Sequence, residues 1–111
     1  MASTKEYLDF VLDMLSELGD VSFRPMMGEY VLYFRGKVVG GVYDDRLLLK
    51  ATPTALEIMR GSAFGERTET PYPGARPMLA ADVDDGELTR RVVAAIADEL
   101  PNPKPRKGAR K

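Results

Sequence analysis

The sequence predicts an α+β domain. A mostly antiparallel β-sheet, with a meander at residues 29–50, carries helices packed on one face, giving two layers. Three observations lead there. A helix-spaced apolar stripe opens the chain, a β-rich run cut by two-residue turn signals follows, and a second helix-spaced stripe comes near the end.

The first helix begins near Ser3, where Ser3 and Glu6 have the spacing of a capping box. Tyr7, Leu8, Val11, Leu12, Leu15 and Leu18 form its apolar face, and Gly19 can end it in a left-handed conformation. A short strand follows at Val21 to Met26. "EYVLYF" and "KVVGGVY" flank Arg35-Gly36, a two-residue gap of hairpin length that puts Gly36 at positive φ. "RLLLK" follows the next tight turn, Asp44-Asp45. Gly40-Gly41 interrupts the middle strand, which implies a bulge or the close approach of another backbone, with the first helix expected over it.

Thr52-Pro53 starts a second helix that runs to about Arg60. Residues 61–76 read as a loop with one short strand near Phe64, and "MLAADV" as an edge strand. Asp84 caps the last helix, whose face is Leu88, Val92, Ala95, Ile96 and Leu100. The domain therefore spans residues 1–100, and residues 101–111, "PNPKPRKGARK", read as a disordered basic tail.

Composition bounds the chemistry. The 111-residue chain has no cysteine and no histidine, which removes thiol chemistry and zinc sites of the ordinary His/Cys kind. No cofactor or metal is expected, and no catalytic constellation stands out. No stretch is apolar enough to span a bilayer, and "MASTKEYLDF" lacks the apolar core of a signal peptide, so a cytoplasmic location is expected. Net charge is −1 but uneven: Lys104, Arg106, Lys107, Arg110 and Lys111 are all cationic, and the first hundred residues hold 11 basic against 17 acidic groups, a net −6.

Four groups of residues are candidates for function. Asp44, Asp45, Asp82, Asp84 and Asp85 suit an oxygen-rich Mg²⁺ or Ca²⁺ site or acid/base work, or else a turn and a helix cap. The Gly-Lys pair in "FRGKVVGG" lies in a hairpin, not between a strand and a helix, so it does not make a phosphate loop. Tyr30, Tyr33, Tyr43 and Tyr72, with Arg24, Arg35 and Lys37, could stack and neutralise single-stranded nucleic acid, or simply pack a sheet. The five cations of the tail suit a weak, salt-dependent nucleic-acid contact.

The segment "RPMMGEYVLYFRGKVVGGVYDDRLLLK", residues 24–50, resembles the N-terminal domain of the TfoX/Sxy family of competence regulators. That pattern is R-x-M-F-G-G, a Tyr-rich hairpin, a second hairpin and a Leu-x-x-Lys ending. Arg24, Met26, Gly28, Tyr33, Gly36, Leu47 and Lys50 fall on matching places, while Met27 and Glu29 stand where phenylalanine and glycine are common. "YPGARPMLAADVDD" and "LPNPKPRK" resemble single-domain members, so the likeness covers about residues 5–107. Longer members act with the cyclic-AMP receptor protein in transcription of DNA-uptake genes. For a lone N-terminal domain the resemblance implies a non-enzymatic regulatory or adaptor module acting through protein contacts. Its partner would be an unidentified protein, with transcription machinery or a second copy of the chain as candidates, and no membrane. The partner surface is placed at Arg24, Met26, Met27, Gly28 and Tyr30, or else the stretch "RPMMGEY" is only a corner between strands. An accessory nucleic-acid binder using the tail is the alternative.

Overall fold

A computed structural model describes residues 3–101. Helix α1 (Lys5–Leu15) ends in a 3₁₀ turn, and strands β1 (Val21–Met26), β2 (Glu29–Phe34), β3 (Lys37–Val42) and β4 (Leu47–Leu49) follow. Helix α2 (Pro53–Arg60), strands β5 (Thr68–Glu69) and β6 (Met78–Ala80) and helix α3 (Gly86–Glu99) complete the domain. The six strands form one antiparallel sheet in the order β1-β2-β3-β4-β6-β5. This is the α+β architecture expected, with the meander extended back to Val21.

Three tight turns build that meander. Met27-Gly28, Arg35-Gly36 and Asp44-Asp45 all have positive φ at both central residues, the backbone that matches the twist of a two-residue hairpin. Around the third, Tyr43 and Arg46 exchange both backbone hydrogen bonds at 2.9 and 3.0 Å. Gly36 sits at φ 76°, as its sequence context predicts.

One core lies between the sheet and all three helices. Leu8, Val11 and Leu15 of α1, Met59 of α2 and Val92, Val93 and Ile96 of α3 bury against Leu32, Phe34, Val42, Leu49 and Leu79 of the sheet. The other face has a small cluster of Tyr43, Leu48 and Ala80, with Phe64 and Met78 packed against it. The helices thus share one face because the strands alternate, and their other side chains are left for a loop to cover.

The glycine pair behaves as a bulge. The β2–β3 register slips between Leu32 and Tyr33, which pair with Gly40 and Val38 and leave Val39 unpaired. A side chain at Gly40 would run into the Leu48 carbonyl oxygen and the Leu49 Cα, and one at Gly41 would meet the Tyr30 carbonyl oxygen and the Tyr43 ring. The crowding comes from neighbouring strands and a ring, not from α1. Helix α3 packs over β2 and β3, whereas α1 packs against β1 and α3.

Four local expectations need correction. Thr4, not Ser3, caps α1 by accepting from the Tyr7 N–H, because Ser3 is drawn to Glu29 instead. Asp85, not Asp84, caps α3 by accepting from the Leu88 N–H. Phe64 lies in the loop, packed under the sheet, and the short strand is Thr68–Glu69. That pairing also moves β6 inside, between β4 and β5, so it is not an edge. The tail residues Lys104, Arg106, Lys107, Arg110 and Lys111 lie outside the described residues.

Candidate functional site

The five residues expected to meet a partner all belong to the β1–β2 hairpin. Arg24 and Met26 are exposed on β1, and Met26 lies at the strand end opposite Glu29. Met27 opens the turn at φ 52° and is 97% exposed. Gly28 completes it at φ 85°. Tyr30 does not join them. It pairs across the sheet with Val42, which buries in the helix-side core, and its ring meets Phe23 edge-on at 5.8 Å. By strand alternation Arg24 and Met26 occupy the opposite face. The structure therefore gathers Arg24, Met26 and Met27 around the hairpin end and sets Tyr30 on the other side.

Met27 departs from ordinary turn chemistry. Its left-handed backbone is costly for any residue with a β-carbon, and Asn, Asp or Gly normally stand there. An apolar side chain in this position, almost wholly in water, gains no burial to offset the strain. Phe23 (39% exposed) and Phe10 (46% exposed) extend the list of large apolar groups in water. The sequence reading singled out neither. Phe10 had a signal: it falls beside Asp9 and Asp13 on the polar side of an amphipathic helix.

Three of the candidate aspartates, Asp45, Asp82 and Asp85, make local structural bonds. The Asp45 carboxylate accepts from the Thr4 N–H at 2.8 Å, and the Glu29 carboxylate accepts from the N–H groups of Ser3 at 3.0 Å and Asp44 at 3.1 Å. The Ser3 hydroxyl donates to Glu29 and accepts from the Asp45 N–H at 3.0 Å. This network ties the chain start to the β3–β4 turn. Asp82 accepts from the Asp84 N–H and Asp85 caps a helix. Among the described residues, no group of three or more acidic side chains is arranged to hold a metal ion.

The cations proposed for stacking are also partly committed. Arg35 lies 3.4 Å from Asp98 and over the Phe34 ring. The Lys37 ammonium donates to the carbonyls of Ala97 (2.7 Å) and Leu100 (3.1 Å), satisfying the negative end of α3. Arg24 makes no ion pair among the described residues. Burial pushes the Tyr43 hydroxyl up from its ordinary value, and the nearby Tyr72 and Glu29 add to the shift. Tyr43, Tyr72, Lys50, Arg76 and Met78 line a shallow groove of about 520 Å³ on the helix-free side. No helix of the described residues is long and apolar enough to cross a membrane.

Comparison with known proteins adds two findings. The family model described as the TfoX N-terminal domain matches residues 13–73, from the last turn of α1 to the loop before β6. An uncharacterized 12.7 kDa protein in the trpE 5′ region of Spirochaeta aurantia is 37% identical over 113 residues, spanning 100% of this chain and 95% of that protein.

Proposed function

The chain belongs to the TfoX N-terminal domain family, and from that premise we propose that it is a non-enzymatic regulatory or adaptor module. It works in the cytoplasm through protein contacts made at the β1–β2 hairpin end, in the control of transcription to which the family resemblance points. One observation carries the reading. Met27 is an apolar residue held in a strained turn position and 97% exposed, which the folded chain does not need. A flexible thioether side chain suits an adaptable protein contact, and Met26 and Arg24 supply further apolar and cationic groups on the same hairpin.

The test compares tagged wild-type chain with Met27→Asp in capture from the native cell extract, each eluate identified by mass spectrometry. A partner retained by wild type and lost by the variant supports the reading. A partner set unchanged by Met27→Asp, and equally by Arg24→Ala, sinks it.

The second reading, an accessory nucleic-acid binder, rests on the five tail cations beside an acidic body. It requires binding to random-sequence DNA at low salt that falls steeply as salt rises and disappears when residues 102–111 are deleted. Full-length chain that does not bind at low salt rejects it.

A further inference from the structure

The two edges of the sheet are unequal. One is β5, two residues long; the other is β1, six residues long, with five of the six exposed. Long free edges with apolar side chains are templates for another strand. We propose that β1 pairs antiparallel with β1 of a second copy of this chain, about a two-fold axis at Ser22.

Backbone polarity comes first. The Arg35 N–H donates to the Asp20 carbonyl at 3.0 Å, so position 20 turns its backbone groups toward β2. Stepping by two along the antiparallel ladder, Ser22, Arg24 and Met26 also bond inward, opposite Tyr33, Val31 and Glu29. Val21, Phe23 and Pro25 therefore face outward. Pro25 fits this, since proline has no N–H to give an inner ladder. The only outward N–H groups on β1 are those of Val21 and Phe23.

Register follows from using both donors and from charge. With Ser22 on the axis, Val21 of each copy exchanges both backbone bonds with Phe23 of the other. The same register sets Arg24 directly across from Asp20 of the second copy, twice over. Both side chains are exposed, and neither makes an ion pair among the described residues. Pro25 then falls opposite Gly19, whose φ of 84° and ψ of −140° take it out of the strand, so the ladder stops where the donors stop. Sliding the register by two would put Arg24 opposite Ser22 and lose the charge pairing.

The side chains agree. Val21 and Phe23 share the helix-side face, because they pair with Phe34 and Leu32 of the core. A groove of about 630 Å³ runs there beside α1, lined by Leu12, Ser16, Gly19, Val21 and Phe23. The Phe23 ring of the second copy arrives opposite Val21, at this groove. Because β5 is too short to serve as a second pairing edge, association closes at the dimer. The ladder uses residues 20–24 and leaves Met27 clear, so this inference stands or falls separately from the hairpin-end reading.

Sedimentation velocity of the full-length chain over a wide concentration range tests it. Wild type is expected to form a concentration-dependent dimer. Asp20→Arg or Arg24→Glu alone should each weaken it by about tenfold or more, because each sets like charges face to face at both ends of the ladder. An equimolar mixture of the two variants should dimerise again, since the mixed pair restores opposite charges. Circular dichroism checks that each variant is folded, and Ser22→Arg, which sets like charges on the axis, replaces any that is not. Wild type that stays monomeric throughout overturns the proposal. So does a dimer indifferent to the single substitutions, or a mixture that remains monomeric.

Discussion

The β1–β2 and β3–β4 hairpins have the same turn backbone and opposite surroundings. In β3–β4 every residue from Val39 to Tyr43 and from Leu47 to Leu49 is buried, and the Asp44-Asp45 turn suits its conformation. Its carboxylate and N–H groups are bonded to Thr4, Ser3 and Glu29. In β1–β2 five of the six residues of the first strand are exposed, and the turn carries a methionine that stands in water. One hairpin is specified by its neighbours, and the other breaks a local rule at Met27, whose side chain gains no burial in return. That difference is the ground on which the proposed contacts of β1–β2 rest.

The largest effect should come from breaking the closed hairpin. Gly40→Val drives a branched side chain into the backbone of β4, at the Leu48 carbonyl and Leu49 Cα. Backbone cannot move aside as a side-chain tip can. The loss should be about 3 kcal/mol or more, the upper end for overpacking, read as a lower urea midpoint at unchanged slope. A midpoint that stays put would mean β3 and β4 have slack, and the contrast between hairpins would weaken.

Glu29 is the next test, because it joins the two hairpins. Glu29→Ala leaves the Ser3 hydroxyl and the Asp44 N–H without their acceptor and the Ser3 N–H with the Gly28 carbonyl alone, and Ser3 is buried. The expected cost is about 2 kcal/mol, typical of orphaned groups that had bonded a charge. Protease cleavage near the N-terminus should rise in parallel. Stability equal to wild type would show that water replaces the network.

The open hairpin should respond the other way. Met27→Asn keeps the turn and relieves the left-handed strain, so stability should rise by about 0.5–1 kcal/mol. Partner capture should fall with it. A gain in stability with capture intact would detach the strain from function, and a loss of stability would mean the methionine packs after all.

These same residues show what the sequence could disclose. Arg35-Gly36 and Asp44-Asp45 were legible because each is a two-residue gap between clear β patterns, one with a glycine and one with two aspartates. Met27-Gly28 read only as a corner, since Pro25, Met26 and Met27 carry no hairpin-turn preference. The helix caps were off by one at Ser3/Thr4 and Asp84/Asp85, where adjacent residues have the same capping chemistry and only the backbone decides. Thr68–Glu69 gave no signal, being two exposed residues whose strand exists only because β6 lies alongside. Glu29 was invisible as a hub because its partners lie 15 and 26 residues away. Of the candidate site, the exposure of Met26 and Met27 is consistent with their sequence assignment. The edge position of Phe23 depended on strand order, which periodicity does not encode.

The smallest effect tests whether the closed side is also fastened at its far end. The Glu99 carboxylate, at the end of α3, accepts from the Thr54 N–H at 3.0 Å in the first turn of α2. A hydrogen bond from the Thr52 side chain, joined by the Thr54 bonds, holds the carboxyl below its ordinary range against the opposing effect of desolvation. A folded-state pKa below the unfolded one means that the stabilisation is present above the ordinary carboxylate range. It is lost as pH falls through the lowered folded value, since both states are then protonated. Glu99→Gln removes that linkage. The variant should melt slightly below wild type at neutral pH, and the gap should close in acid. The carboxylate is fully exposed, so the gap should also shrink as salt rises. Melting curves at neutral and acidic pH, each at low and high salt, decide it. A gap that widens in acid would reverse the sign and show that the α2–α3 clasp is not held by the charged form of Glu99.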